Sequence, residues 1–177
     1  TKTGKPRYYF ARGVKGEPVN AIPEGYEIRE SINGIVSLAK ERPCYILEEE
    51  VAVVKAAIEQ HPKSRNYRVD VKPKRIDIYE LVGSDMEDQL LSMLNNTFPP
   101  GSLATIREYR ERTGQYSAVM RFILEDEERR LFHAERMCYR SSVDGWLPLW
   151  NVGDAPIEAL ARRLIPTLGT DAFFELH

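Results

Sequence analysis

The sequence predicts an α+β protein, with antiparallel β-hairpins and a β-meander packed against about three helices in two small lobes. Three observations carry this. Apolar residues alternate in short runs that meet at turn dipeptides, chiefly Asn33-Gly34 and Asp144-Gly145. Other stretches repeat apolar residues at helical spacing. The charge also changes sign along the chain. Residues 1–75 carry 15 Lys or Arg against 10 Asp or Glu, whereas residues 76–177 carry 10 against 17, and no lysine follows Lys74. That asymmetry divides the chain into a basic lobe over 1–82 and an acidic lobe over 83–177.

Taken in order, Arg7 to Ala11 reads as a short strand, followed by a Gly- and Pro-bearing loop. Asn33-Gly34 suits a two-residue type I′ turn, because both residues tolerate positive φ. Such a turn pairs Ile32 with Ile35 and Ile28 with Ala39. Glu48 to Gln60 is a helix with Leu47, Val51, Val54 and Ile58 as its stripe, and three glutamates open it at the positive end of its dipole. Tyr67–Lys72 and Arg75–Leu81 form a second hairpin with Val69, Val71, Ile76 and Ile78 on its apolar face. Pro73 fixes φ negative and disfavours a type I′ turn there. Ser84 to Asn95 is a helix opened by the capping box Ser84 and Glu87.

Residues 103–113 suit either a helix or a strand and are assigned to a strand. Gln115–Leu124 and Arg130–Arg140 are strands, and Asp144-Gly145 turns the chain into Trp146–Trp150, completing a meander. Asp154 caps a helix that runs to Ile165 and buries Leu160 and Leu164. Ala172 to Leu176 docks as a short apolar segment.

With 42% hydrophobic and 29% charged residues among 177, the composition is that of a globular protein. The longest apolar runs, such as Val51–Val54, are far too short for a membrane span or signal peptide. Two cysteines, Cys44 and Cys138, are too few for a disulfide scaffold and suit reduced thiols in the cytoplasm.

No phosphate-binding glycine loop, dinucleotide fingerprint, zinc motif or nucleophile elbow occurs, so no catalytic residue, metal ligand or cofactor is assigned. Strand alternation around a turn at Asp126-Glu127 places Arg121, Arg136 and Arg140 on one sheet face with Val119, Ile123 and Phe132. Arginine forks bind carboxylates and phosphates with paired hydrogen bonds, which makes these three a candidate anion site. The same alternation puts His133 and Glu135 together on the other face, where they form a conceivable base and orienting carboxylate.

Lys63, Arg65, Arg68, Lys72, Lys74 and Arg75 give the second hairpin a basic face, on which Asp70 and Asp77 oppose each other. The sequence pI of about 6.0 argues against a dedicated nucleic-acid binder. Trp146 and Trp150 flank Pro148 on one side of the last strand. They are expected as core beneath the following helix, and otherwise as an interaction surface together with Lys72, Lys74 and Arg75.

The function these features suggest is a non-enzymatic interaction or regulatory module that binds a protein or a small anionic ligand through a sheet face. No membrane partner and no specific nucleic acid is expected, and a homo-oligomer is compatible with the pattern. The alternative is an enzyme holding a phosphate-bearing substrate in an arginine clamp.

Overall fold

The computed structural model describes residues 8–13, 16–83, 93, 102–140 and 143–176. It divides the chain into two compact units, residues 1–43 and 44–177. The architecture is α+β, with one two-stranded and one five-stranded antiparallel sheet.

In the first unit, β1 (Tyr26–Glu30) and β2 (Val36–Lys40) form the expected hairpin around Asn33-Gly34, but one residue out of the expected register. Ile28 faces Leu38, not Ala39. The Ser31 N–H donates to the Ile35 carbonyl at 2.9 Å, which leaves a three-residue loop. Gly34 closes that loop at φ +73°, with its N–H on the Ser31 carbonyl at 2.9 Å. A type I turn followed by a left-handed glycine absorbs one residue more than a type I′ turn, and a one-residue slip exchanges the two faces of the strand. Residues Tyr8 to Ala11, expected as a strand, are irregular, and Arg7 lies outside the described residues.

The second unit begins with α1 (Glu48–Glu59), followed by β3 (Tyr67–Lys72) and β4 (Arg75–Leu81). Next come α2 (Ser102–Thr113), β5 (Tyr116–Asp126), β6 (Leu131–Arg140) and β7 (Val143–Pro148). The chain ends in α3 (Ile157–Leu164) and the short α4 (Asp171–Phe174). The five strands lie in sequence order, β3-β4-β5-β6-β7. Because β4 pairs with β5, the basic hairpin and the acidic meander share one sheet. The compact units therefore part at Pro43 rather than at residue 82, where the charge changes sign. Side-chain charge does not interrupt a backbone ladder.

The β3–β4 hairpin matches the sequence reading, with Val71 opposite Ile76 and Asp70 opposite Asp77. One face of the sheet carries Ile76, Ile78, Met120, Phe122, Phe132 and Ala134, all buried against α1 and α3. Val54 and Ile58 of α1, and Leu160 and Leu164 of α3, are buried there too, while Val51 is only partly covered and Leu47 is exposed. Phe173 of α4 docks into the same core, as the apolar C-terminal segment suggested.

Three expectations change. Residues 102–113 form a helix, not a strand. Ile106 and Tyr109 stand three apart, Arg107–Glu111 and Glu108–Arg112 four apart, and Arg and Glu are good helix formers, so the spacing is helical. Gly114 follows this helix where a Cβ would clash with Leu81 Cδ1 and the Arg110 carbonyl. Asp144 and Gly145 pair with Tyr139 and Cys138 inside β7 and are not a hairpin tip. Asp154 does not cap α3, whose first residue follows Pro156 directly; its carboxylate is engaged elsewhere. The helix expected over Ser84–Asn95 lies outside the described residues, apart from Met93.

A buried histidine ties the end of α1 to the region after α3. His61 Nε2 donates to the Leu168 carbonyl at 3.2 Å, while Nδ1 accepts the Lys63 N–H at 3.1 Å. Both nitrogens are satisfied only in the neutral ring. Burial, with the nearby Lys63 charge, lowers the His61 pKa despite the Leu168 bond. The unfolded chain then binds the proton more readily than the fold. Stability from this site is therefore complete above the ordinary imidazole value of about 6.5 and declines as pH falls through the lowered one. Urea midpoints should fall as pH drops from neutrality towards 5. His61→Gln, which keeps a donor for Leu168, should show a smaller fall. Parallel profiles for the two proteins would refute the assignment.

Candidate functional site

The register of the meander decides which charged side chains meet. Glu125 is the extra residue of a β-bulge, since Leu124 pairs with Phe132 and Asp126 with Leu131. Residues 127–130 complete the connection, with Arg130 in the left-handed region at φ +54°. A two-residue turn at Asp126-Glu127 would set Arg121 opposite Phe132, so the observed register differs by three residues, an odd number that exchanges the faces. Arg121 consequently faces Glu135, while Arg136 pairs with Met120 on the core side.

The three candidate arginines therefore form no common site. Arg121 makes an ion pair with Glu135 and stacks on the Trp146 ring, its guanidinium carbon 4.1 Å from the centroid. Arg136 is buried on the other face. Its Nε donates to the Leu176 carbonyl at 2.7 Å and its Nη2 to the Phe174 carbonyl at 3.0 Å, so it fastens the C-terminal segment. Arg140 pairs through its backbone with Val143, and its side chain lies outside the described residues.

The outer face carries a row of directly paired positions, Asp70, Asp77, Arg121 and Glu135, one on each of four strands. Beside it run Lys72, Arg75, Ile123 and His133. Asp77 is only 2% exposed, so it is not part of a solvated checkerboard. Lys72 Nζ lies 2.8 Å from one Asp77 oxygen and 3.6 Å from Asp70, and Arg75 Nε donates to Asp77 Oδ2 at 3.3 Å. Burial works against the Lys72 charge, but the Asp77 carboxylate and the Tyr79 hydroxyl outweigh it and raise the pKa.

Lys74 bonds Glu127, whose charge raises its pKa, and Arg65 lies 3.7 Å from Glu111. Arg68 bonds the Arg65 and Tyr67 carbonyls and stacks on Tyr116. Tyr67 packs inward, as its register predicted, and is not available for stacking on a base. The basic hairpin is thus largely neutralised by its own fold.

The His133 pairing also differs from expectation. Its Nδ1–H donates to Asp154 Oδ1 at 3.0 Å, while Glu135 is committed to Arg121. The imidazole is 8% exposed, and its Nε2 is buried with no hydrogen-bond partner among the described residues. Trp150 leans on it, with ring centroids 5.3 Å apart and planes at 44°. Trp150 itself is 74% exposed. It is not the core residue its size suggested; Leu149, one position earlier, takes the core position and is fully buried. Trp146 and Trp150 do share the outer face, through their contacts with Arg121 and His133. Asp154 is the site residue sequence reasoning missed, because an acid just before a helical stretch reads as a cap. Only the strand crossing that brings Ala155 against Phe132 places it beside His133.

The first unit holds an open cleft of about 650 Å³ lined by Tyr8, Tyr9, Phe10, Pro18 and Ile22 among others. Its lining mixes these apolar side chains with Arg12, Glu17 and Asn20. Among the described residues no cluster of His, Cys, Asp or Glu could hold a metal ion, and no helix is long and apolar enough to cross a membrane. Neither a family model, nor a curated protein, nor a solved structure matches the chain.

Proposed function

We propose that this chain is an interaction module that recognises a protein partner through the outer face of its five-stranded sheet, at the end where Trp150 stands against His133. The observation carrying this reading is a tryptophan left 74% exposed on a turn, beside a buried polar group with no hydrogen-bond partner among the described residues. Tryptophan is among the residues most enriched at binding hot spots. The first unit adds support by exposing Tyr9, Phe10, Val19, Ile22, Ile28, Ile35 and Val36 around a two-stranded hairpin, an element of marginal stability in isolation.

The rival reading, an enzyme clamping a phosphate between arginines, has less support. Arg121 is neutralised by Glu135 and Arg136 is bound to carbonyls. The free thiols Cys44 and Cys138 suit a reducing compartment such as the cytoplasm.

Selection of a random peptide library displayed on phage against the folded chain tests the proposal. Enriched peptides are expected, and their binding should weaken about tenfold or more in Trp150→Ala. An unenriched library, or peptides that bind the variant equally well, would overturn the reading. So would a saturable rise of the thermal midpoint on adding inorganic phosphate, which would favour the enzyme.

A further inference from the structure

We infer that the His133–Asp154–Trp150 cluster is a receptor for a cationic N–H donor, the lysine or arginine side chain of the partner. The inference rests on the interaction reading above and names the chemistry of what docks there. Three features converge on it. First, Asp154 accepts the Nδ1–H of His133, so the neutral ring presents Nε2 as a lone-pair acceptor, and that acceptor has no partner among the described residues. A buried acceptor left unbonded costs free energy that a donor from outside would restore. Second, the Asp154 carboxylate remains 49% exposed, so negative charge stays open at the rim of the site. Third, the Trp150 indole offers the aromatic face that attracts cations most strongly. An acceptor nitrogen, a carboxylate and an aromatic face all favour a positively charged donor and disfavour an anion.

The same sheet face shows the pairing within the chain. There the Arg121 guanidinium lies on the Trp146 ring and bonds Glu135. Trp150 and Asp154 each meet His133 just past the end of β7, and among the described residues no Lys or Arg is in ion-pair contact with Asp154. Nε2 is buried in this arrangement, so a guest reaches it only when a neighbour such as the indole packed on the ring turns aside. Trp150 is exposed over most of its surface and has few contacts to lose when it turns.

Nuclear magnetic resonance titration provides the test. The isotope-labelled chain is titrated with N-acetylarginine methylamide and, separately, with its neutral isostere N-acetylcitrulline methylamide. The arginine compound should shift the Trp150 indole N–H and the His133 ring signals saturably at millimolar concentration, and the citrulline compound should not. Asp154→Asn should weaken the arginine affinity roughly fivefold or more. His133→Phe should weaken it too, while the backbone spectrum reports that the variant is folded. Equal shifts with both compounds, no shift up to roughly 50 mM, or unchanged affinity in Asp154→Asn would overturn the inference.

The phage selection separates this from the broader reading. Trp150-dependent peptides without a basic residue would sustain the interaction module and sink the cationic guest. Absence of any Trp150-dependent peptide would sink the module itself.

Discussion

Phe122→Ala should lower the stability of the second unit by ~3–5 kcal/mol, measured by urea denaturation. Phe122 lies at the middle of β5, the central strand of five, and is fully buried. Ile76 and Ala134 pair with it from the strands on either side. Truncation removes the transfer free energy of the ring and leaves a cavity that paired backbones on both sides prevent from collapsing. A loss under about 1 kcal/mol would mean that the sheet is not packed against the helices as described. Leu160→Ala tests the opposing layer and should cost ~2–5 kcal/mol.

The second large effect belongs to an ion pair joining α1 to the β5–β6 connection. Glu50, buried in the first turn of α1, accepts the Leu47 N–H at 2.8 Å. Arg130 holds it in a two-pronged contact, Nε to Oε1 at 2.8 Å and Nη2 to Oε2 at 2.6 Å, and also donates to the Tyr45 carbonyl at 3.0 Å. The Glu50 hydrogen bond raises the Arg130 pKa, so the cation persists across the working pH range.

Arg130→Ala leaves a carboxylate buried without its counter-charge and should cost about 3 kcal/mol, at the lower end for a buried pair because Arg130 is partly exposed. The backbone sharpens this prediction. Arg130 sits at φ +54°, where a glycine is unstrained and an alanine is not. Arg130→Gly should therefore be more stable than Arg130→Ala by about 1 kcal/mol, although both lose the same ion pair. Equal stabilities would show that the left-handed conformation is not kept in solution. A double-mutant cycle with Glu50→Gln isolates the pairwise part.

Local patterns carried much of the fold. The period-two alternation of Val69, Val71, Ile76 and Ile78 gave the correct register for β3 and β4, although Lys72 pairs with Arg75 and leaves the two-residue loop Pro73-Lys74 where a four-residue loop was expected. The helical spacing of Val54 and Ile58, and of Leu160 and Leu164, identified buried faces directly. Where a glycine-closed loop or a bulge moved the register by an odd number of residues, the same logic failed twice. Gly34 shifted β1 against β2, and Glu125 turned Arg121 away from Arg136. Alternation tells which residues share a face within one strand, but a single extra residue between strands inverts how those faces combine.

The candidate site followed that inversion. Arg121, Arg136 and His133 were visible as unusual residues in a sheet, yet their partners come from elsewhere in the chain. His133 finds Asp154 at a separation of 21 residues, and Arg136 finds the carbonyls of Phe174 and Leu176 at 38 and 40. By itself, then, the sequence determined the α+β class, the two buried helices and the β3–β4 register, since each depends on contacts between near neighbours. Only the tertiary structure decided which charges are neutralised, which tryptophan is left in solvent and which histidine nitrogen lacks a partner. Those outcomes depend on bulges and strand crossings that bring distant segments together, and short-range periodicity carries no record of them.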